Sequence, residues 1–362
     1  MTIDERQRAD GVFEGGGVKG IAFAGALAAA ESEAGVSEWV NVAGTSAGSI
    51  VSALLVVGYD SAGLQKILAG AHYKRFADCG PGGKWLGGMT NALTRFRGLA
   101  PGHYFKEWMS EQLAASPLAK ELGKTELTFA DVRRRDLPPK SEIPDITDDK
   151  YERAKYRLHV IGSDITGGRM LIMPDDLPDY TDENGKPFDK DTFPVVDAVR
   201  MSMSYPFLFA PVTLHRDGRP HYVVDGGLLS NFPIWLFDSP HPKRPTWGFR
   251  LHPGESVEEG LPYRKIPRPL WAVPLLKAMF SAATEAWDRE QMEHVVSART
   301  VSIPTHAIST TNFGLSKQDA DDLYGWGKTA AQAFFSDPAQ RQYLNSFGKP
   351  VDTAVREPAA VR

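Results

Sequence analysis

Val40-Asn41-Val42-Ala43-Gly44-Thr45-Ser46-Ala47-Gly48-Ser49-Ile50-Val51-Ser52-Ala53-Leu54-Leu55-Val56-Val57 is the stretch whose reading decides the fold. It opens with a short apolar run, passes through a cluster of small residues and continues as a longer apolar run. Residues 40–43 read as a strand and 47–57 as a helix. Between them Gly44-Thr45-Ser46-Ala47-Gly48 has the G-x-S-x-G spacing of a strand-to-helix elbow. Such a turn crowds the positions two before and two after the serine, so Gly44 and Gly48 let strand and helix approach while Ser46 Oγ projects upward. The helix beginning at Ala47 offers free N–H groups and a positive dipole end to an oxyanion. The same letters also fit a small-residue turn in which Ser46 or Ser49 caps the helix.

Reading upstream, residues 11–58 alternate as β-α-β-α, which predicts two neighbouring parallel strands. The first helix, expected over about 18–31, is apolar nearly all round, as in a helix buried between a sheet and a second layer. Before it stands Glu14-Gly15-Gly16-Gly17-Val18-Lys19-Gly20. Gly15, Gly16 and Gly17 leave N–H groups uncovered beside a helix N-terminus, a site for an anion or a transient oxyanion. Gly15, Gly17 and Gly20 also spell G-x-G-x-x-G, so a Rossmann-like nucleotide-binding oxidoreductase is a competing reading. That reading needs an acidic residue where the second strand ends, and Ala43-Gly44-Thr45-Ser46 stands there. A P-loop is excluded because Ile21 follows Gly20 where Lys and then Ser/Thr are required. Glycines that merely ease a tight turn are the third reading.

Downstream, strands are expected at 156–165, 170–173, 211–214, 222–224, 247–251 and 301–303, and helices at 195–201, 270–296 and 316–335. In His221-Tyr222-Val223-Val224-Asp225-Gly226-Gly227 an apolar strand stops at an acid followed by two glycines. Asp225 is therefore the candidate base, although Asp-Gly is also an ordinary turn signal. An α/β-hydrolase would place a histidine after the acid and several strands before the serine. Only one strand precedes the strand that leads into Ser46, and neither His294 nor His306 lies in a glycine-rich loop.

In this order the three motifs resemble the patatin-like phospholipase family: Glu14 to Gly20 as its oxyanion loop, Gly44-Thr45-Ser46-Ala47-Gly48 as its elbow and Asp225-Gly226-Gly227 as its catalytic acid. Ser163-Asp164-Ile165-Thr166-Gly167-Gly168-Arg169 and Met201-Ser202-Met203-Ser204-Tyr205-Pro206 are similar too, and the likeness runs from 11 to 237. Glu14 departs from the frequent Asp but keeps a carboxylate. The resemblance implies an α/β fold of the patatin-like three-layer α/β/α kind, with a central, mostly parallel sheet and a mobile cap. It implies a serine acyl-hydrolase (lipase, phospholipase A or esterase) acting through a Ser46–Asp225 dyad and an acyl-enzyme. Gly15, Gly16, Gly17 and Ala47 would form the oxyanion hole, supported by Gly44, Gly48, Lys19, Gly226 and Gly227. A catalytically silent lipid-binding protein on the same fold is the remaining alternative.

The 362 residues, 42% of them hydrophobic, suffice for a large core. They are expected to form an N-terminal tail (1–10), one hydrolase domain (11–344) and a flexible tail (345–362). Cap or loop insertions are expected at 79–105, dense in glycine, and 138–155, rich in proline and charge, with an apolar helical segment at 266–296. A net charge of −4 leaves no basic excess for a phosphate backbone, which excludes nucleic acid as partner. The single cysteine, Cys79, forms no intrachain disulfide, and no Cys/His spacing suggests a metal, so no cofactor or metal is expected. The charged first residues are no secretory signal, and no run of about eighteen apolar residues occurs. The expectation is a soluble, cytoplasmic protein acting on a lipid or ester, with secretion by a specialised system as the alternative. Trp271 and Leu275 beside Arg264 and Arg268 add a possible peripheral membrane contact.

Overall fold

The apolar runs become the strands of one mixed sheet. The structure is a computed structural model that describes residues 7–76, 100–206, 208–239, 242–254, 298–344 and 347. Its strands are β1 (Arg8–Phe13), β2 (Glu38–Thr45), β3 (Leu158–Asp164), β4 (Arg169–Met173), β5 (Val212–Arg216), β6 (Arg219–Asp225), β7 (Thr246–His252) and β8 (Thr300–Pro304). The order is β5-β6-β3-β2-β1-β7-β8, with β4 paired to β3 off that path. β1, β2, β3, β7 and β8 run parallel, while β4 and β6 are antiparallel to β3 and β5 is antiparallel to β6.

The helices are α1 (Ile21–Glu33), α2 (Ala47–Val56), α3 (Ser61–Ala69), α4 (Tyr73–Phe76), α5 (His103–Ala114), α6 (Pro117–Leu122), α7 (Asp148–Ala154), α8 (Val195–Ser202), α9 (Lys317–Ser336) and α10 (Pro338–Leu344). α1 is apolar all round because α9 lies along its far side. One sheet face presents Phe13, Val42, Val160, Trp247 and Phe249 to α1, α2 and α9, with Phe13 stacked on Phe249 at 5.0 Å. The other presents Val12, Ala43, Ile161 and Ile172 to Phe232, Ile234 and Leu236. That cover follows β6 and is wound into the 3-10 turns Gly226–Leu228 and Ile234–Phe237. The result is the layered α/β/α arrangement, with a mostly parallel sheet at its centre.

Several boundaries differ from the sequence reading. β1 begins at Arg8, so residues 8–10 belong to the sheet and not to a tail. The charge of Asp10 disguised it: Asp10 Oδ1 accepts from Arg244 Nε at 2.8 Å and Asn41 Nδ2 at 2.8 Å, which lets a carboxylate sit inside a strand. The expected loop 138–155 contains α7, capped by Thr147 Oγ1. The glycine-rich stretch 79–105 yields to α5 at His103. Of the expected flexible tail, Phe347 is described and is buried against Tyr343. Residues 77–99 and the apolar segment 266–296, with its membrane expectation, lie outside the described residues. No helix among the described residues is long and apolar enough to cross a membrane.

The register around β3 positions the site. β4 pairs with Val160 through Asp164 along one edge of β3. On the opposite edge β2 pairs up to Thr45↔Ile161, and β6 takes over from Asp225↔Gly162. β2 and β6 therefore run towards each other along the same edge, and their ends meet. The residue after β2 is Ser46, and the residue that ends β6 is Asp225.

Candidate active site

Ser46 sits at the N-cap of α2 with φ 52° and ψ −120°. A non-glycine residue in this left-handed region costs about 1–3 kcal/mol and persists only where its surroundings enforce it. The enforcement is visible. A Cβ on Gly44 would lie 2.2 Å from the Gly48 backbone, and one on Gly48 would lie 2.1 Å from Phe13 O, so only glycines let α2 start this close to β1 and β2. Ser46 N–H donates to Ser202 Oγ at 2.8 Å, and Ser46 O accepts from Ser49 N (2.9 Å) and Ser49 Oγ (2.6 Å). Ser49 thus braces the elbow from behind, and Ser46 keeps its hydroxyl for the cavity.

Asp225 is 2% exposed. Its Oδ1 accepts from Gly227 N at 2.8 Å, and its N–H donates to Ser204 O at 2.9 Å. Its Oδ2 is buried and accepts no hydrogen bond among the described residues. Burial pushes its pKa up to about 6, against the pull of the Ser46 hydroxyl and the Gly227 N–H. The Ser46 hydroxyl, near enough to exert that pull, points in this conformation at Met203 Sδ, 3.6 Å away. A rotation about χ1 redirects it, since serine hydroxyls exchange rotamers freely. Burial and the charge of Asp225 together push the neighbouring Tyr205 up to about 12.

The loop carrying Asp225 is pinned to the strands beneath it. Ser163 Oγ donates to Gly226 O (3.1 Å) and accepts from Leu229 N (3.3 Å), and Thr45 Oγ1 donates to Ser230 O (3.0 Å). One residue further on, Asn231 reaches the glycine loop. Its Nδ2 stands 3.3 Å from Glu14 Oε1, and its backbone carbonyl accepts from Gly15 N at 3.3 Å. The buried Glu14 carboxylate also accepts from Leu251 N (2.5 Å) and Arg250 Nε (3.3 Å), which anchors the loop to β7.

These bonds decide which loop amides are available. Gly15 N–H is committed to Asn231, and Val18 N–H donates to Thr310 O at 3.2 Å. The N–H groups of Gly16, Gly17 and Ala47 make no hydrogen bond among the described residues. The oxyanion set read from the sequence therefore loses Gly15 as a donor. Lys19 is buried, does not line the cavity, and its N–H donates to Gly16 O, closing the turn. The loop needs its glycines for packing: a Cβ on Gly16 would meet Leu251 Cδ1 at 2.3 Å and one on Gly17 would meet Thr310 O at 2.2 Å. Against the Rossmann-like reading, β2 ends at Thr45, with Ser46 next, where an acidic residue is required.

Above Ser46 and Asp225 opens a cavity of about 170 Å³. Its floor is Gly15, Gly16, Gly17, Gly227 and Asn231, and its walls are Ile50, Phe76, Met203, Leu208, Phe209 and Phe313. The structure thus brings together Ser46, Asp225, the three loop glycines and Gly227, with Gly44, Gly48 and Gly226 packed beneath. Asn231, Ser202 and Thr310 were not singled out in the sequence. Asn231 follows Asp225 by six residues in a polar turn, a signal too common to separate from any other Asn.

Comparison with known proteins follows the same line. Residues 11–238 match the family described as Patatin-like phospholipase. The protein named "Uncharacterized protein YqhO" of Bacillus subtilis (strain 168) is 32% identical over 326 residues, covering 90% of this chain and 97% of that protein. Among solved structures, VipD from Legionella pneumophila superposes with a TM-score of 0.50 at 16% identity, over 90% of this chain and 66% of that one. ExoU, from the type III secretion system of Pseudomonas aeruginosa in complex with SpcU, gives 0.45 at 18% identity over 90% of this chain and 51% of that one. The chain thus spans less than two thirds of each of these solved chains, and the likeness to VipD is one of fold. With the family match extending over more than half its length, the chain belongs to the Patatin-like phospholipase family.

Proposed function

We propose that this protein is a serine acyl-hydrolase that cleaves carboxylic esters of lipids through an acyl-enzyme, with Ser46 as nucleophile and Asp225 as its base. Family membership supports a lipid hydrolase. The observation that carries the finer reading is the head-on meeting of β2 and β6, which sets the strained Ser46 beside the unpartnered Asp225 Oδ2. A buried carboxylate with no compensating charge and one oxygen unpartnered is costly to keep, which argues against a catalytically silent lipid-binding protein.

The steps follow from the atoms in place. Asp225 Oδ2 takes the proton of Ser46 as Oγ attacks the acyl carbonyl. The carbonyl oxygen, now negative, is held by N–H groups of Gly16, Gly17 and Ala47, each worth roughly 3–4 kcal/mol in the transition state. The C–O bond to the alcohol breaks, and the alcohol leaves with the proton from Asp225. Water then attacks the acyl-enzyme, gives its proton to Asp225, and the acid departs as Ser46 regains its hydrogen. A base with a pKa of about 6 is ionised at neutral pH yet basic enough for the transfer. The apolar wall formed by Ile50, Phe76, Leu208, Phe209 and Phe313 suits the acyl chain of a lipid better than a polar substrate.

The test is hydrolysis of p-nitrophenyl esters of increasing acyl length by wild type, Ser46→Ala and Asp225→Asn, each folded by circular dichroism. Loss of nearly all activity in both variants supports the dyad; activity retained in Ser46→Ala overturns it.

A further inference from the structure

The C-terminal end of α8 touches both halves of the dyad. Ser202 Oγ accepts the Ser46 N–H at 2.8 Å, and Met203 Sδ stands 3.6 Å from Ser46 Oγ. Ser204 O accepts the Asp225 N–H at 2.9 Å. Three consecutive residues thus set where nucleophile and base stand relative to each other. A helix end frays unless something ties it down, and catalysis is sensitive to shifts of an ångström in such a place.

Arg200, one helical turn before Ser204, supplies the tie. Its side chain is buried and spreads over three acceptors: Nη1 donates to Ser204 Oγ at 2.7 Å, and Nη2 donates to Pro101 O at 2.8 Å and to Ala210 O at 3.2 Å. Ser204 Oγ donates its own hydrogen back to Arg200 O at 3.1 Å, so that hydroxyl is held from two sides. Gly102 makes room for the guanidinium: its φ is +76°, and a Cβ there would lie 2.4 Å from Arg200 Nε. Pro101 and Ala210 belong to two segments that also pair directly, Ala100 N–H with Leu208 O at 2.8 Å and Ala210 N–H with Ala100 O at 2.9 Å. The cavity wall at Leu208 and Phe209 therefore keeps a ladder of its own, and the bond that leads to the dyad is the one to Ser204. Arg200 does not line the cavity, so it reaches the chemistry only through other residues. Its planar fork matches acceptors in several fixed directions, which a single ammonium cannot do.

We propose that Arg200 is a positioning residue for ester hydrolysis: by locking Ser204 it holds residues 202–204 in place and so fixes the distance between Ser46 and Asp225. The inference rests on the Ser46–Asp225 reading. Its effect falls on kcat, because transfer of the serine proton needs both groups within hydrogen-bond reach.

The experiment compares Arg200→Lys and Ser204→Ala with wild type in p-nitrophenyl ester hydrolysis, fluorophosphonate labelling and thermal unfolding. Lysine keeps the charge and loses the fork. Ser204→Ala removes the hydroxyl alone and leaves the backbone carbonyl for Asp225 N–H. Each variant should lose about tenfold to 10²-fold in kcat, with KM within about twofold of wild type. Labelling should slow by the same factor yet still reach one adduct per chain, which separates misplaced dyads from unfolded chains. The double variant should be no slower than the slower single one, because both changes break one bond. If Arg200→Lys does not fold, Ser204→Ala carries the test. Wild-type kcat in a folded variant overturns the proposal, as do a loss confined to KM, losses that multiply in the double variant, or labelling at the wild-type rate with fewer chains reacting. Activity retained in Ser46→Ala overturns the dyad instead, so the two failures are told apart.

Discussion

Replacing Asp225 with Asn should stabilise the protein while abolishing its chemistry. In the folded chain the Asp225 carboxyl has a pKa of about 6 against an ordinary 3.8, with burial as the cause. Between those two values the folded state holds a proton that the unfolded chain has released, so this group's contribution to stability falls as pH rises through that window. Below about pH 4 both states are protonated and the group is neutral in its effect; above about pH 6 the full penalty is present. The difference of about 2 pKa units corresponds to about 3 kcal/mol. Asn keeps the shape and the acceptor for Gly227 N–H, and its amide can donate to Ser46 Oγ, so it removes the charge without a new unmet group. At roughly 2.1 cal/mol/K of unfolding entropy per residue, 3 kcal/mol over the whole chain is a rise in Tm of about 4 °C. Scanning calorimetry of both proteins at pH 8 and pH 4 reads it directly. The expected outcome is a more stable variant at pH 8 and a difference that closes at pH 4. A variant less stable than wild type at pH 8, or a gap of the same size at both pH values, would refute the reasoning that Asp225 is an isolated, desolvated carboxylate.

Three other outcomes follow from the same geometry. kcat/KM should fall about tenfold per pH unit below pH 6 and level off above it, because only ionised Asp225 can take the serine proton; a pH-rate profile checks this. Asn231→Leu removes the side-chain contact of Nδ2 with Glu14 Oε1 and keeps only the backbone bond from Gly15 N–H, so the glycine loop is held less firmly to the loop of Asp225 and kcat should drop by up to roughly 10²-fold with little change in KM or Tm. Gly48→Ala drives a Cβ to 2.1 Å from Phe13 O, backbone that cannot yield, and should cost about 3 kcal/mol or more, seen as a lowered Tm or loss of soluble protein.

The elbow was legible because its signature lies within five consecutive residues. Gly44, Ser46 and Gly48 stand at the spacing of the turn, and the apolar runs on either side announce β2 and α2. Asp225 was legible through its place at the end of an apolar run before two glycines. What the sequence concealed depends on partners far along the chain. Asp10 looks like a surface charge until Arg244, 234 residues away, neutralises it inside β1. Gly15 looks like an oxyanion donor until Asn231, 216 residues away, takes its N–H. Ser202 reads as an ordinary helical serine, yet its hydroxyl accepts the Ser46 N–H across 156 residues. Local patterns specify elements and turns; which amides remain free for chemistry is settled by how those turns are stitched together.

The most direct test of the central claim is intact-mass and peptide mapping after treatment with a fluorophosphonate at pH 8. A single adduct on Ser46, formed by wild type and greatly slowed in the folded Asp225→Asn variant, is the result the account predicts. An adduct on another residue, or none in a preparation that still hydrolyses esters, would contradict it.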